Sequence, residues 1–589
     1  MRRVTSVLPG GPAAGESRSD AQITDERALI TLASRLGAAC VAGWSGAERD
    51  LAARAGNRGP GSSRAVTVAR DRIRAGEDPL GDAFCVLRSP AGRRVLGQTF
   101  TPPPVIESMI AWAAGTGIQP ARVVDPGSGS ARMLLAAGRR WPQAALVGVE
   151  IDPAAAIIGR ASLAAAGFAG RSAVLLGDYC CARLPPAEGP TLFLGNPPYV
   201  RHHQIAAPGK DWLRRAAREQ GLAASGLAGL HAHFFLATAR HAAPGDLGVL
   251  ITAAEWLDVN YGRLVRELLL GALGGQAVHL IEPATAVFAD AVATSVIACF
   301  RPGTTPEAIR MRRVAGPAEL GALSGGTPVA VPLLRATSRW GPLLRAARPG
   351  AARPGAARPG TARSGSAGPR RPGRPREGHV ELGELCRVHR GQVTGANAVW
   401  VTAGPHQLVP ARFCVSAVTR ARELIAAGPV LAPGAPLRQV ISLPADLDDL
   451  PGAERARVAR FLRHATAAGA ADSYVARHRT PWWRVRLGVP PPIMASYMGR
   501  RPPVFVRNQA GASYLNIAHG LYPREPLEPG VLDALAAFLS RSVSPEQGRV
   551  YAGGLIKFEP REMERLLVPG PALLAAGPAL LPTAAEPAL

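Results

Sequence analysis

The chain has 589 residues, of which 47% are hydrophobic, and its 68 Lys and Arg against 43 Asp and Glu give a formal net charge of +25. That length holds two or three domains with cores of their own, which excludes a wholly disordered or fibrous chain. No run of eighteen or more apolar residues marks a membrane span, and Met1-Arg2-Arg3 is not followed by a signal-peptide core. A surplus of cations suits a polyanion, because each neutralised phosphate releases counterions. The only lysines are Lys210 and Lys557, and Ala, Gly, Pro and Arg dominate, so a G+C-rich coding bias accounts for part of the surplus. Seven cysteines include no C-x-x-C pair, which points to free thiols in a cytoplasmic protein and to no metal framework.

Residues 1–60 are rich in Gly, Ala, Ser and Arg, and are expected to be partly disordered apart from a helical stretch near Asp25 to Ala42. Residues 65–97 read as a helical lead-in. An α/β domain is expected over 98–340. Its first strand, Ala121 to Val124, runs into Asp125-Pro126-Gly127-Ser128-Gly129-Ser130 and then a helical stretch from Ala131 to Arg140. This is the strand, glycine turn and helix that open a nucleotide-binding unit, with Gly127 and Gly129 letting the backbone approach a ligand. The next apolar run, Ala144 to Val149, ends in Glu150, placed to accept from ribose hydroxyls. A third run, Ala173 to Leu176, ends in Gly177-Asp178, and Asp178 is placed to accept from an adenine amine.

The fourth run, Leu192-Phe193-Leu194, ends in Asn196-Pro197-Pro198-Tyr199. The Asn196 amide oxygen and the Pro197 carbonyl can both accept from one exocyclic amine. The prolines stiffen the loop that presents them, and Tyr199 offers a flat face for a planar base. Such a site takes an amino group on a nucleobase or an amide.

These residues resemble the S-adenosylmethionine-dependent amino methyltransferases, and within them the gamma-class adenine-N6 DNA methyltransferases of restriction-modification systems. Thr99-Phe100-Thr101-Pro102 with Val105 and Met109 is similar to the segment that family places before its glycine turn; there it helps hold the methionine part of the cofactor. His233-Phe234-Phe235, Pro244 to Thr252 and Val287-Phe288-Ala289-Asp290 look like its later elements, the last supplying an aromatic that packs on the flipped base. Cofactor motifs precede the catalytic motif and recognition comes last, which is the gamma order. The resemblance spans roughly residues 75 to 570. Two departures stand out: Ala131 occupies a position where the family usually has glycine, and Gly229-Leu230-His231 replaces an Asp-Leu-Tyr sequence.

The resemblance implies a Rossmann-like α/β methyltransferase domain followed by a mixed α+β target-recognition domain. It implies Asn196, Pro197, Pro198, Tyr199 and Phe288 as catalytic residues. For S-adenosylmethionine it implies Thr101, Asp125, Gly127, Gly129, Glu150, Asp178 and Phe235. No metal is expected. The implied partner is double-stranded DNA, bound by a cytoplasmic monomer, with a separate restriction endonuclease as a further candidate partner and no membrane. An RNA or protein-glutamine amino methyltransferase with the same tetrapeptide, and a non-catalytic DNA-binding subunit, remain alternative readings.

Three Ala-Ala-Arg-Pro-Gly repeats from Ala346 to Gly360 open an Arg/Pro/Gly-rich stretch over 346–378, which reads as an extended linker. The recognition domain is expected over 380–570. There Arg390, Arg500 and Arg501 read as phosphate contacts, Trp482 and Trp483 as core residues, and Tyr551 to Pro560 as a hairpin or loop.

Overall fold

Four of the apolar runs form neighbouring parallel strands. A computed structural model of the protein describes residues 23–56, 63–89, 92–93, 96–281, 294–314, 319–321, 323–346, 378–551 and 555–576. The chain divides into two compact units, residues 1–352 with 552–554, and residues 353–551 with 555–589. Most of the expected linker, 347–377, lies outside the described residues, as do residues 1–22.

The first unit begins with helices α1 (Glu26–Arg35), α2 (Gly46–Ala55), α3 (Ser63–Arg74) and α4 (Pro79–Leu87). Helix α5 (Pro103–Gly115) then leads into β1 (Arg122–Pro126), α6 (Arg132–Arg140), β2 (Ala145–Glu150), α7 (Pro153–Ala165), β3 (Ser172–Leu176) and β4 (Thr191–Gly195). Helices α8 (Ala207–Glu219) and α9 (Leu230–His241) precede β5 (Leu247–Ala253). Helix α10 (Arg263–Leu270), β6 (Gly275–Ile281), β7 (Ser295–Phe300), β8 (Ala308–Val314) and β9 (Thr327–Ala330) follow. The sheet order is β3-β2-β1-β4-β5-β7-β6-β8-β9. Strands β1 to β5 are parallel neighbours, and β7 runs antiparallel between β5 and β6.

Helices cover both faces, so the parallel strands read as near-continuous apolar runs. Side-chain alternation sorts them between two layers: Val249 and Ile251 join one core cluster and Leu250 the other. From β1 the chain winds outward to β3, then returns to place β4 on the other side of β1. Ligands of open α/β sheets bind at such a reversal, outside the carboxyl ends of the strands. The Asp125 turn follows β1 and the Asn196 loop follows β4, the two neighbouring strands at this reversal.

The N-terminal helices belong to the same core. Helix α2 is poor in apolar residues, and the sequence alone assigns it no element. Its start is fixed by a capping box in which Glu48 N donates to Ser45 Oγ and Ser45 N donates to Glu48 Oε2. The same Glu48 carboxylate pairs with Arg160 of α7 at 2.6 Å, both side chains fully buried. Arg160 also donates to the carbonyls of Val41, Ala42 and Gly43 at 2.6–2.9 Å. Those bonds hold Ala42 as a short parallel bridge beside Ala173, which covers the open edge of β3.

The second unit carries a five-stranded sheet in the order Cys386–Arg390, Ala518–Pro523, Ile493–Ser496, Phe505–Asn508, Val430–Leu431, with four- and three-stranded sheets beside it. Arg549–Tyr551 and Leu555–Lys557 pair antiparallel. Trp482 and Trp483 pack on a core with Trp400, and the Trp483 indole N–H donates to the Pro444 carbonyl. On Cys386–Arg390, Cys386 and Val388 point inward while Arg387, His389 and Arg390 are exposed. Among the described residues no helix is long and apolar enough to cross a membrane.

Replacing Glu48 by Ala leaves a buried guanidinium with carbonyl partners only. Breaking a buried pair from one side costs about 3–5 kcal/mol. Glu48→Ala should therefore lower the urea midpoint of the first unit's transition clearly; an unchanged midpoint would contradict the bracing role.

Candidate active site

The strand ends converge on a cavity of about 270 Å³ at the β1/β4 reversal. Thr101, Asp125, Gly127, Gly129, Glu150, Asp178, Asn196 and Pro198 all line it. Pro197 is buried and Tyr199 half-buried, and neither is among the lining residues. Tyr199 is held by its N–H to the Gly97 carbonyl at 3.1 Å and by a 3.4 Å contact between its hydroxyl and Ser295 Oγ. Gly97 lies at φ +64°, and a Cβ there would stand 2.6 Å from the Tyr199 nitrogen, so only glycine allows this approach. Phe288 lies outside the described residues.

One residue past β4, Asn196 is oriented by its neighbours. Its Nδ2 donates to the Thr99 carbonyl and to Thr101 Oγ1, each at 3.0 Å. A carbonyl oxygen can only accept, so the amide cannot be turned round without setting two acceptors against each other. Asn196 Oδ1 is left buried with no partner among the described residues. Thr101 thus has a second part beyond lining the cavity: it holds the amide.

The remaining polar wall is also made mainly of acceptors. Glu150 Oε2 accepts from the Gly129 N–H at 2.8 Å, and Oε1 from the N–H groups of Ile151 and Asp152 at 3.0 and 2.9 Å. Asp178 caps the short turn after β3 by accepting from the Cys180 N–H at 2.9 Å. Burial raises the Glu150 carboxyl above its ordinary value, and the N–H bonds offset part of that rise. Burial, together with the Glu150 charge, pushes Asp125 well above the usual carboxylate range. Gln98 Nε2 donates to Asp152 Oδ2 at 2.9 Å, and its Oε1, like Ser128 Oγ, is buried without a partner. Two buried acids and two unsatisfied carbonyl oxygens, those of Asn196 and Gln98, favour a ligand that carries positive charge and donors.

One expected residue is corrected. Phe235 does not reach the cavity: it is fully buried in the opposite layer, its ring 6.0 Å from Trp256 and 6.4 Å from Phe300. Adjacent helical residues point about 100° apart, and on α9 it is Phe234 and Leu230, four apart, that line the site. Their i,i+4 spacing was the available signal. Ile151 lines the cavity too and is 58% exposed, a large apolar side chain open to a ligand's flat face. Ser128, Ser130, Gln98 and the cationic Arg132 also line the cavity. Among the described residues, no group of three or more His, Cys, Asp or Glu is placed to hold a metal ion.

Residues 374–582 match the family described as Type II methyltransferase M.Eco57I, C-terminal domain. The chain is 46% identical over 508 residues to Type II methyltransferase M.XamI of Xanthomonas campestris pv. amaranthicola, covering 86% of this chain and 91% of that one. A shorter stretch of 115 residues is 35% identical to a tRNA1(Val) (adenine(37)-N6)-methyltransferase of Porphyromonas gingivalis, covering 19% of this chain and 44% of that one. Among solved structures, the Type IIL restriction-modification enzyme MmeI in complex with DNA shares the fold, with a TM-score of 0.52 and 12% identity over 82% of this chain and 70% of that one.

A buried carboxyl with a raised pKa favours the folded state while protonated. That contribution is present at acid pH and is lost as pH rises through the folded-state value. Asp125→Asn should therefore raise the melting temperature of the ligand-free protein at neutral pH, with a gain that shrinks as pH falls toward 4. Melts showing no gain at pH 7–8, or a gain that grows with acid, would contradict the burial cost assigned to Asp125.

Proposed function

Because the chain belongs to the Type II methyltransferases of restriction-modification systems, we propose that it transfers a methyl group from S-adenosylmethionine to the N6 amine of adenine in duplex DNA. Asn196 carries the reading: a buried amide oxygen, aimed by Thr99 and Thr101 and lacking a partner, calls for an N–H donor. The adenine amine is such a donor, and it is reachable only when the base leaves the stack. In our reading Tyr199 stacks on the extruded base, and Phe288 closes its other face.

The cavity wall fits the cofactor. A cationic ligand in this cavity would offset the burial of Asp125 and Glu150. Glu150 and Asp178 retain acceptor capacity for ribose hydroxyls and an adenine amine, and Ile151 and Phe234 offer apolar faces to the purine. When bound, S-adenosylmethionine supplies an electrophilic methyl on a sulfonium. The protein's task is then orientation. The lone pair of an aromatic amine is delocalised into its ring. Asn196 Oδ1 and the Pro197 carbonyl would accept from the two N–H bonds and draw them out of the ring plane, leaving the nitrogen lone pair free to take up the methyl, and the methylated amine would give up one proton to solvent. Positioning and fixed dipoles account for most of the rate, with no covalent adduct to the base.

Cytosine also carries an exocyclic amine. The motif order favours adenine, and so does the adenine-N6 activity in the name of the shorter relative. That relative's RNA substrate supports a second reading on RNA, but the match over 374–582 favours DNA for this chain. We assign sequence recognition to residues 380–570, where Arg387 and Arg390 offer exposed cations beside the exposed His389 and the Arg390 guanidinium lies 5.3 Å from the Tyr497 ring. The monomer is taken as the acting form, with any restriction endonuclease a separate chain.

Asn196→Ala should lower kcat at least about a hundredfold, the usual cost of losing one preorganised polar group at a reacting centre. Cofactor affinity by calorimetry should stay near wild type, because the amide faces the target amine. Digested DNA from cells expressing the wild-type chain should contain N6-methyladenine. Turnover unchanged in the variant would remove Asn196 from the reaction, and N4-methylcytosine alone would reassign the base.

A further inference from the structure

The cofactor turn contains one residue in an unexpected conformation. Among the described residues, Ala131 is the one non-glycine with positive φ, at φ 67° and ψ 26°. It is fully buried and stands at the N-terminus of α6, a position that ordinarily takes extended backbone. A Cβ is strained there, and such strain persists only where the surroundings over-determine it.

Both neighbours of Ala131 bond to one carboxylate, that of Asp78, 53 positions earlier in the chain. Asp78 caps α4, its Oδ1 accepting from the Gly81 N–H at 2.8 Å. Its Oδ2 accepts from Ser130 Oγ at 2.5 Å and from Arg132 Nε. Ser130 and Arg132 are the two neighbours of Ala131. The Asp78 side chain is 9% exposed and that of Arg132 18%. Arg132 is fixed further by Asp82 Oδ1 at 2.5 Å and by the Phe100 ring, 5.2 Å away. Ser130, Arg132 and Phe100 all line the cavity.

We propose that Asp78 is a positioning residue for the cofactor turn: it grips the residues on both sides of Ala131 and so holds an alanine in the left-handed conformation a glycine would adopt unaided. The helical lead-in would then be part of the cofactor site, although none of its helices lines the cavity. The inference rests on the reading that this turn binds S-adenosylmethionine.

The test is a mutant cycle on the full chain, with S-adenosylhomocysteine affinity read by calorimetry. Asp78→Asn keeps the helix cap but removes the acceptor shared by Ser130 and Arg132. It should weaken binding about tenfold, while Ala131→Gly alone stays within about threefold of wild type. Adding Ala131→Gly to Asp78→Asn should restore most of the loss, which a general loss of folding would not allow. Ser130→Ala, which cuts one tether and leaves the ion pair, should weaken binding about threefold and be restored in the same way. It serves as the test if Asp78→Asn fails to fold by circular dichroism. Wild-type affinity in Asp78→Asn, or a double variant as weak as the single one, would overturn the inference while leaving the cofactor reading intact. A wild-type chain that does not bind S-adenosylhomocysteine would overturn both.

Discussion

A backbone carbonyl cannot donate a hydrogen bond, and the candidate site depends on that. The Thr99 carbonyl obliges the Asn196 amide to turn its nitrogen toward it, which leaves the buried oxygen without a partner. The remaining local geometry serves this contact. Strand β4 delivers Asn196 to the reversal of the sheet, where a ligand crevice opens. Gly97 lets the preceding segment lie against Tyr199, and Thr101 supplies the second acceptor. Residues 97–101 thus act as a strap that touches the Asn196-Pro197-Pro198-Tyr199 segment at Asn196 and Tyr199 and, through Gln98, the loop after β2. A shift of that strap would disturb the Asn196 amide and the Asp152 end of the loop after β2 together.

The site is built against the stability of the empty protein. Asp125 and Glu150 are both buried, and the Glu150 charge adds to the cost of ionising Asp125. Several buried oxygens lack donors. The stability to tolerate this comes from elsewhere, from the two core layers, onto which the buried Glu48–Arg160 pair fastens the N-terminal helices at α7. A ligand that brings positive charge and N–H donors removes the conflict, which is a physical reason for a cationic cofactor to bind here.

Much of this was legible in the residues. Parallel strands buried on both faces produce apolar runs, and each of the first four runs ends in a polar group that the sheet then brings to one edge. The glycine turn and the tetrapeptide were readable because their chemistry is local. What escaped notice depends on distance or on direction. Phe234 and Phe235 are both apolar neighbours on one helix, and only the packing of α9 decides which one faces the cavity. Helix α2 lacks apolar periodicity because its key buried contact is an ion pair with a residue 112 positions away. Asp78 looks like an ordinary helix cap, and its grip on the turn appears only when α4 is folded against α6. Phe288 and most of the arginine-rich linker lie outside the described residues, so their expected parts stand on the sequence alone.

The central claim is that Asn196 Oδ1 accepts from the amine of an extruded adenine. A crystal structure of the full chain with a duplex containing its methylation site and an unreactive S-adenosylmethionine analogue tests it directly. The account predicts an adenine outside the helix with N6 about 2.7–3.2 Å from Asn196 Oδ1, while Nδ2 remains on Thr99 and Thr101. A target base still stacked in the duplex of such a complex, or an amine bonded to other groups with Asn196 turned away, would contradict it.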